Sequence, residues 1–548
     1  MKVSSLRMRL FLVLSGLAMP LLCAQQPEPA PPSHAQPGAQ APAQQPAPGA
    51  APAQAPNPAQ PGKSPDNIYT MRVTSRLVIL DLVVVDAKGA VVKDLKRDDF
   101  QVEEAGQPQT ILNFEETGAH LPAPEAVIES TADLDRLAPR APVDIILLDE
   151  FNTRFEDMAF ARYSLKKYLE KQPGKLVTPT MLVAVDLQHF TVLRDYTQNK
   201  DEIISALDHH FAAYPWQVHS GAWVSERYAT AFITLRRTAE AVMGHSGHKN
   251  MIWVGRGFPP SRFEKWPIDT ETRIHNAVQD CVNMLRDARV TLYTIDPAGV
   301  MMDPGIYGGY PAADPFGGNY EFNRLAKATG GRTLYGRNDV DAEIQTAIQD
   351  GANFYTLTYR PANVTLDPQK FRRIKVTLDR PGLKVITREG YYLQYGPGKV
   401  DPVNPSRRLV GDLLSAESSN MVYDGVPVKV EQSATDPDAF TVHVDGHGLV
   451  WTLATATDPR RAEVILDIST FDKKGKELKR DVKVVRVAAP SSVAPTGRLL
   501  RDLNLPAKID HNAKAVRARF AVRVSATGRI GTADVELGQE AGKSAAGK

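Results

Sequence analysis

Between Val143 and Asp350, short apolar runs alternate with segments whose apolar residues recur every three or four positions. A run that is mostly apolar, with no alternation of polar residues, calls for cover on both faces, and the helical segments between such runs supply it. The pattern therefore predicts an α/β unit built on a mostly parallel sheet. The first run, Val143 to Leu148, ends in Asp149 and precedes a helix from about Glu156 to Leu169, where Ala161, Leu165, Tyr168 and Leu169 share one face. Met181 to Asp186 and Thr191 to Leu193 read as strands, Asp201 to Ala212 and Val224 to Met243 as helices, and Asn250 to Val254 as a buried strand. A helix from Ile274 to Ala288 leads into the strand Val290 to Ile295, and helices Phe322 to Thr329 and Val340 to Asp350 close the unit.

Strand patterns bracket this unit. Leu77 to Val85, Phe100 to Glu103 and Thr110 to Phe114 precede it; Phe354 to Tyr359, Phe371 to Leu378 and Lys384 to Thr387 follow it, with a turn at Pro381-Gly382. Neither set has enough strands to bury both of its faces, so residues 72–117 and 353–395 are expected to form one discontinuous β-sandwich around an α/β unit spanning 140–352. Residues 405–540 hold further strand patterns, including Ala462 to Phe471 and Glu477 to Val487 around Lys473-Lys-Gly-Lys476, and predict a second β-sandwich. The fold class is thus α/β plus all-β.

The chain has 548 residues, enough for several cores, and its 65 Lys and Arg nearly balance its 63 Asp and Glu. Overall charge points to neither nucleic acid nor an anionic membrane as partner. Lys2, Arg7 and Arg9 precede an apolar stretch from Leu10 to Leu22, so residues 1–24 read as an export signal and the mature protein as secreted or periplasmic. Cys23 offers a rival lipoprotein anchor, disfavoured because Leu22 stands where a small residue is needed. Residues 25–71 form a Pro/Ala/Gln-rich spacer, with 12 Pro in Gln25 to Lys63 and too little apolar surface for a core. Cleavage after Ala24 would leave Cys281 without a disulfide partner, a small apolar residue on its helix rather than a nucleophile. No later segment is apolar enough to span a membrane as a helix.

Several stretches in this order carry a resemblance: Asp94-Leu-Lys-Arg-Asp-Asp-Phe100, Leu148-Asp-Glu-Phe-Asn-Thr153, Gly247-His-Lys-Asn-Met-Ile-Trp253, Tyr293-Thr-Ile-Asp-Pro297, Leu325-Ala-Lys-Ala-Thr-Gly-Gly331, Arg373-Ile-Lys-Val376 and Arg388-Glu-Gly-Tyr391. Over most of residues 72–395 the chain resembles the von Willebrand factor type A-related proteins of acidobacteria, a secreted family. The resemblance implies a Rossmann-like α/β domain flanked by β-sandwiches. Type A domains in general hold Mg²⁺ at a metal-ion-dependent adhesion site, built from Asp-x-Ser-x-Ser after the first strand, a Thr from a later loop and an Asp after the fourth strand; a small hard cation needs that shell of oxygens.

Here the first motif reads Asp149-Glu150-Phe151-Asn152-Thr153, with Phe151 where the middle Ser would stand. The later acidic turn reads Gly255-Arg256-Gly257, and Ser220 substitutes for the Thr. The resemblance therefore implies a degenerate site: Mg²⁺ is not expected, no other cofactor is called for, and Asp149, Thr153 and Asn152 are the remaining oxygen donors. Arg256 could replace the divalent ion by pairing with Asp149. The plainer alternatives are that Asp149 and Asn152 shape a turn and cap the next helix, and that Arg256 points into solvent.

Enzyme motifs are weak. Gly244-His-Ser-Gly-His248 is one residue short of a nucleophile elbow and reads as a polar turn. His209 and His210 are adjacent, lie on different faces of a helix and read as solvated. Pro304 to Gly318 lacks the Gly-Lys-Ser/Thr ending of a phosphate loop and suits a contact loop. Two non-enzymatic readings follow. The favoured one is a protein-binding or adhesion module using the C-terminal edge of the α/β sheet, with an unidentified protein partner; the other is a structural envelope scaffold with no ligand there. Open polar loops around Asp149 would favour the first, and burial of Asp149 the second.

Overall fold

The computed structural model describes residues 77–212, 221–257, 268–299, 320–361, 371–392, 412–451, 460–489, 503–509 and 514–537. The export signal, the spacer, Ser220 and the segment Pro304 to Gly318 lie outside them.

At the centre is a six-stranded sheet in the order Thr333–Leu334, Val290–Ile295, Lys249–Val254, Val143–Asp149, Lys175–Val185 and Phe190–Asn199. The first five strands run parallel and the last antiparallel. Every residue of Val143–Asp149, Lys249–Val254 and Val290–Ile295 is buried, as central strands covered on both faces require, and the polar ones among them include Asp144 and Asn250, which hydrogen-bond each other. One face packs Phe155–Glu170, Lys200–His209 and Val340–Ala352 through Leu165, Leu169, Ile203 and Ile344. The opposite face packs Gly221–Ala241 and Ile268–Asp287 through Leu235, Ala239, Val282 and Leu285. Cys281 is buried there, and burial pushes its thiol up to about 12. The hairpin Lys175–Val185 and Phe190–Asn199 extends well beyond the apolar runs that announce it, and a seven-residue helix, Thr131–Leu137, precedes the sheet.

The strands on either side of this segment pair directly with one another. Val78–Val85 lies between Tyr355–Tyr359 and Lys384–Thr387, and Ile111–Glu115 pairs with the far side of Tyr355–Tyr359. Facing them, Phe371–Leu378 lies between Gly390–Tyr392 and Phe100–Glu104, with Gln107–Gln109 outermost. The two four-stranded sheets enclose one core that includes Leu80, Val84, Phe100, Tyr355 and Leu357. Farther along, a three-stranded sheet (Val428–Gln432, Ala439–Val444, Leu503–Lys508) and a four-stranded sheet in the order Glu477–Ala489, Arg460–Phe471, Arg517–Val524, Ile530–Glu536 share a second sandwich core.

Buried polar contacts fix these parts to each other. Asp81 of Val78–Val85 accepts from Arg289 Nη2 at 2.7 Å and from Thr356 Oγ1 at 2.8 Å, and meets His248 Nδ1 at 3.0 Å. On the other side, Leu413, Met421, Tyr423, Ile465 and Ala521 belong to the same apolar cluster as the α/β residues Trp253 and Leu285. Asp412 pairs with both Arg236 and Arg523, and Gly244 N donates to Asp424 Oδ1 at 2.7 Å. Asn420 hydrogen-bonds both the N–H and the C=O of Val192, which covers part of the sheet's antiparallel edge.

Candidate functional site

Asp149 ends the strand Val143–Asp149 at the C-terminal edge of the central sheet, where loops of a parallel sheet converge. Its side chain is closed to solvent. Oδ1 accepts from Asn152 N at 2.9 Å; Oδ2 accepts from Gly257 N at 2.6 Å and from Trp253 Nε1 at 3.1 Å. Burial raises the carboxyl to about 7, opposed by these donors and by the charge of Arg227. A carboxylate with three N–H donors on its two oxygens presents little to a cation.

The rest of the loop is equally committed. Asn152 Nδ2 donates to Gly257 O at 2.8 Å, and Asn152 Oδ1 accepts from Arg227 Nη1 at 2.8 Å. Thr153 Oγ1 accepts from Arg256 N at 3.1 Å. Phe151 is buried with its ring edge-on to Trp253, centroids 6.1 Å apart, so it fills the place of the expected Ser with apolar packing. Residues 255–257 fold down over the aspartate. Gly255 has φ +143°, and a Cβ there would lie 2.4 Å from both Asp149 Cβ and Thr153 Oγ1, so only glycine permits this approach.

The structure thus brings Asp149, Asn152 and Thr153 together as a closed internal cap, not as an open ligand edge. The expected pairing of Arg256 with Asp149 is corrected: the Arg256 Nε lies 3.6 Å from Asp296 Oδ2, on the acid that follows the neighbouring strand Val290–Ile295. The cation beside Asp149 is instead Arg227 of the helix Gly221–Ala241, a residue with no motif to announce it. Around Arg256 and Arg154, the carboxyls of Asp157 and Asp296 are both raised, chiefly by burial. Glu343, nearby on Val340–Ala352, is raised to about 7 by burial, and neither of its oxygens has a hydrogen-bond partner. Among the described residues, no three His, Cys, Asp or Glu side chains are grouped to hold a metal ion.

His210, expected to be solvated, is largely buried and meets Glu150 Oε1 at 2.8 Å through Nε2, whereas His209 is exposed. The Gly244 to His248 turn is also more internal than its polarity suggests. His245 is buried against Ala141 O, and burial, reinforced by Lys249, lowers its pKa to about 4; His248 belongs to the Asp81 cluster. Ser246 Oγ donates to Pro139 O. No helix of the described residues is long and apolar enough to cross a membrane. No protein-family model matches the chain, and no curated protein matches it.

Proposed function

We propose that this chain is an exported, non-catalytic scaffold related to von Willebrand factor type A proteins, in which the α/β unit is held permanently between β-sandwiches and no metal is bound. The observation that carries the reading is the closure of Asp149, whose oxygens are taken by Asn152, Trp253 and Gly257 and whose side chain has no solvent access. An adhesion site that accepts a partner's carboxylate through a metal needs the opposite, an open coordination position. The apolar cluster shared between the α/β unit and the residues from Leu413 onward supports a rigid block. The sheet order, with one antiparallel edge strand, supports the family reading.

Scanning calorimetry of the full chain tests the scaffold. One cooperative transition is expected, unchanged by chelator; separate transitions for the α/β and sandwich regions would overturn it. Protein binding at this edge, independent of metal, is the second reading. It is favoured by Phe155 and Phe211, which are 66% and 82% exposed. Phe155 follows the Asp149 loop, and Phe211 follows the histidine that holds Glu150. Capture from a native envelope fraction that is lost on Phe155→Ser and Phe211→Ser would favour it over the scaffold alone.

A further inference from the structure

The strand Glu477–Ala489 runs for 13 residues at one end of its four-stranded sheet, and Arg460–Phe471 is its strand partner on one side. Among the described residues no strand pairs with its other side. Val485 and Val487 turn inward to the sandwich core, which anchors the strand. Val482 and Val484, 49% and 55% exposed, leave an apolar strip on the outer face. The tight turn before the strand is fixed by Asp472, whose Oδ1 accepts from Lys474 N at 2.8 Å and Lys476 N at 3.0 Å, with Gly475 at φ +75°. It holds Lys473, Lys474 and Lys476 exposed at the head of the strand.

From Lys473 to Arg486 there are seven Lys and Arg against two acids, Glu477 and Asp481. Arg480 is taken by buried Asp467, Lys483 by Asp481 and Arg486 by Glu463, which leaves excess positive charge at the turn, on Lys473, Lys474 and Lys476. We propose that this edge, which no described strand covers, docks an extended acidic peptide segment, added as a further antiparallel strand. A second copy of this edge carries the same excess of Lys and Arg from Lys473 to Arg486, so the joining of two like edges is disfavoured. Lys473, Lys474 and Lys476 select a partner by sign: carboxylates at the end of the added strand that reaches the turn gain attraction from them, while backbone N–H and C=O groups pair along the edge and the valines are covered.

The test uses the full chain and a short fluorescein-labelled peptide alternating Glu and Val, with anisotropy read at low salt. Lys473→Glu combined with Lys474→Glu and Lys476→Glu is expected to weaken binding at least about tenfold, and raising the salt should do the same. All three side chains are exposed in the turn, so an unchanged melting temperature and circular dichroism spectrum certify the fold of the variant. A control peptide with the same acids but Pro in place of Val cannot extend the ladder and is expected not to bind. The proposal is overturned if the Pro peptide binds equally, if the triple variant binds as the parent does, if neither peptide binds, or if phosphatidylserine vesicles bind where the Glu-Val peptide does not.

Discussion

Arg227 donates from Nη1 to Asn152 Oδ1 across 2.8 Å, and its side chain is among the largest that are fully buried. The guanidinium is therefore a structural cation, joining the helix Gly221–Ala241 to the loop that carries Asp149. Arg227→Met keeps most of the volume but strands the Asn152 acceptor and removes the charge beside Asp149. A loss of about 2–4 kcal/mol is expected in urea unfolding; a loss below about 0.5 kcal/mol would show that the contact is incidental.

Chelation is expected to leave the melting temperature unchanged. Arg256→Asp should not create a Mg²⁺ site, even with Phe151→Ser, because Gly257 N and Trp253 Nε1 still occupy Asp149 Oδ2. Titration calorimetry of the double variant measures this directly, and a clear Mg²⁺ binding isotherm would contradict the closed-cap description.

Glu343 gives a pH signature of defined sign. Burial raises it from 4.5 to about 7; Arg337 opposes the shift, and Asp339 and Asp296 reinforce it. The folded state thus holds this proton more tightly than the unfolded chain does. Its favourable contribution is complete below about pH 4.5 and declines as pH rises through about 7. Glu343→Gln should remove that decline and stabilise the protein near pH 8 by on the order of 1–3 kcal/mol, with little change near pH 4. Paired melts at the two pH values check it; a variant less stable than the parent near pH 8 would show that the charged form is favourable in place.

Asp81 has the opposite sign. Burial alone would raise its carboxyl, but Arg289 and His248 hold it well below the usual range, so its stabilisation is present above about pH 4 and is lost only in strong acid. Asp81→Asn leaves Arg289 without its carboxylate partner and should destabilise the protein by about 3–5 kcal/mol. Limited proteolysis between the first sandwich strands and the central sheet should quicken in parallel; unchanged cleavage would mean the two are held by apolar packing alone.

The apolar periodicity of the chain carried most of the fold. Val290–Ile295 runs just as its residues predict, because Val290, Leu292, Tyr293 and Ile295 present apolar side chains to both faces of the sheet and Thr291 and Thr294 are β-branched. The hairpin Lys175–Val185 and Phe190–Asn199 is harder to read: Thr178, Pro179 and Thr180 break the pattern on one strand and mixed polar residues on the other, as an outer position in a sheet allows. At the site, Asp149, Asn152 and Thr153 were singled out by the resemblance of their segment to the first motif of type A domains. Arg227 was not, since a single Arg within an otherwise ordinary helix has no local signal for burial. Arg256 follows Lys249–Val254, which lies between the strands ending at Asp149 and Ile295, so acids stand on both sides of it. The chain order of residues cannot decide between them; the turn of Gly255 and Gly257 does.

The pairing of Val78–Val85 with strands beyond the α/β segment bears on how the protein is made. Asp81 and Thr356 touch although they are 275 positions apart. A ribosome takes roughly 15 to 50 s to cover that distance. Throughout that interval the first strand, with Leu80, Leu82 and Val84 on one face, has neither of its sheet neighbours, and a long loop must close before any of them is covered. Completion of the first sandwich thus acts as a late checkpoint. A chain stopped anywhere in the α/β segment would display an unmatched apolar strand near its amino end, a feature by which chaperones and proteases can tell an unfinished molecule from a finished one.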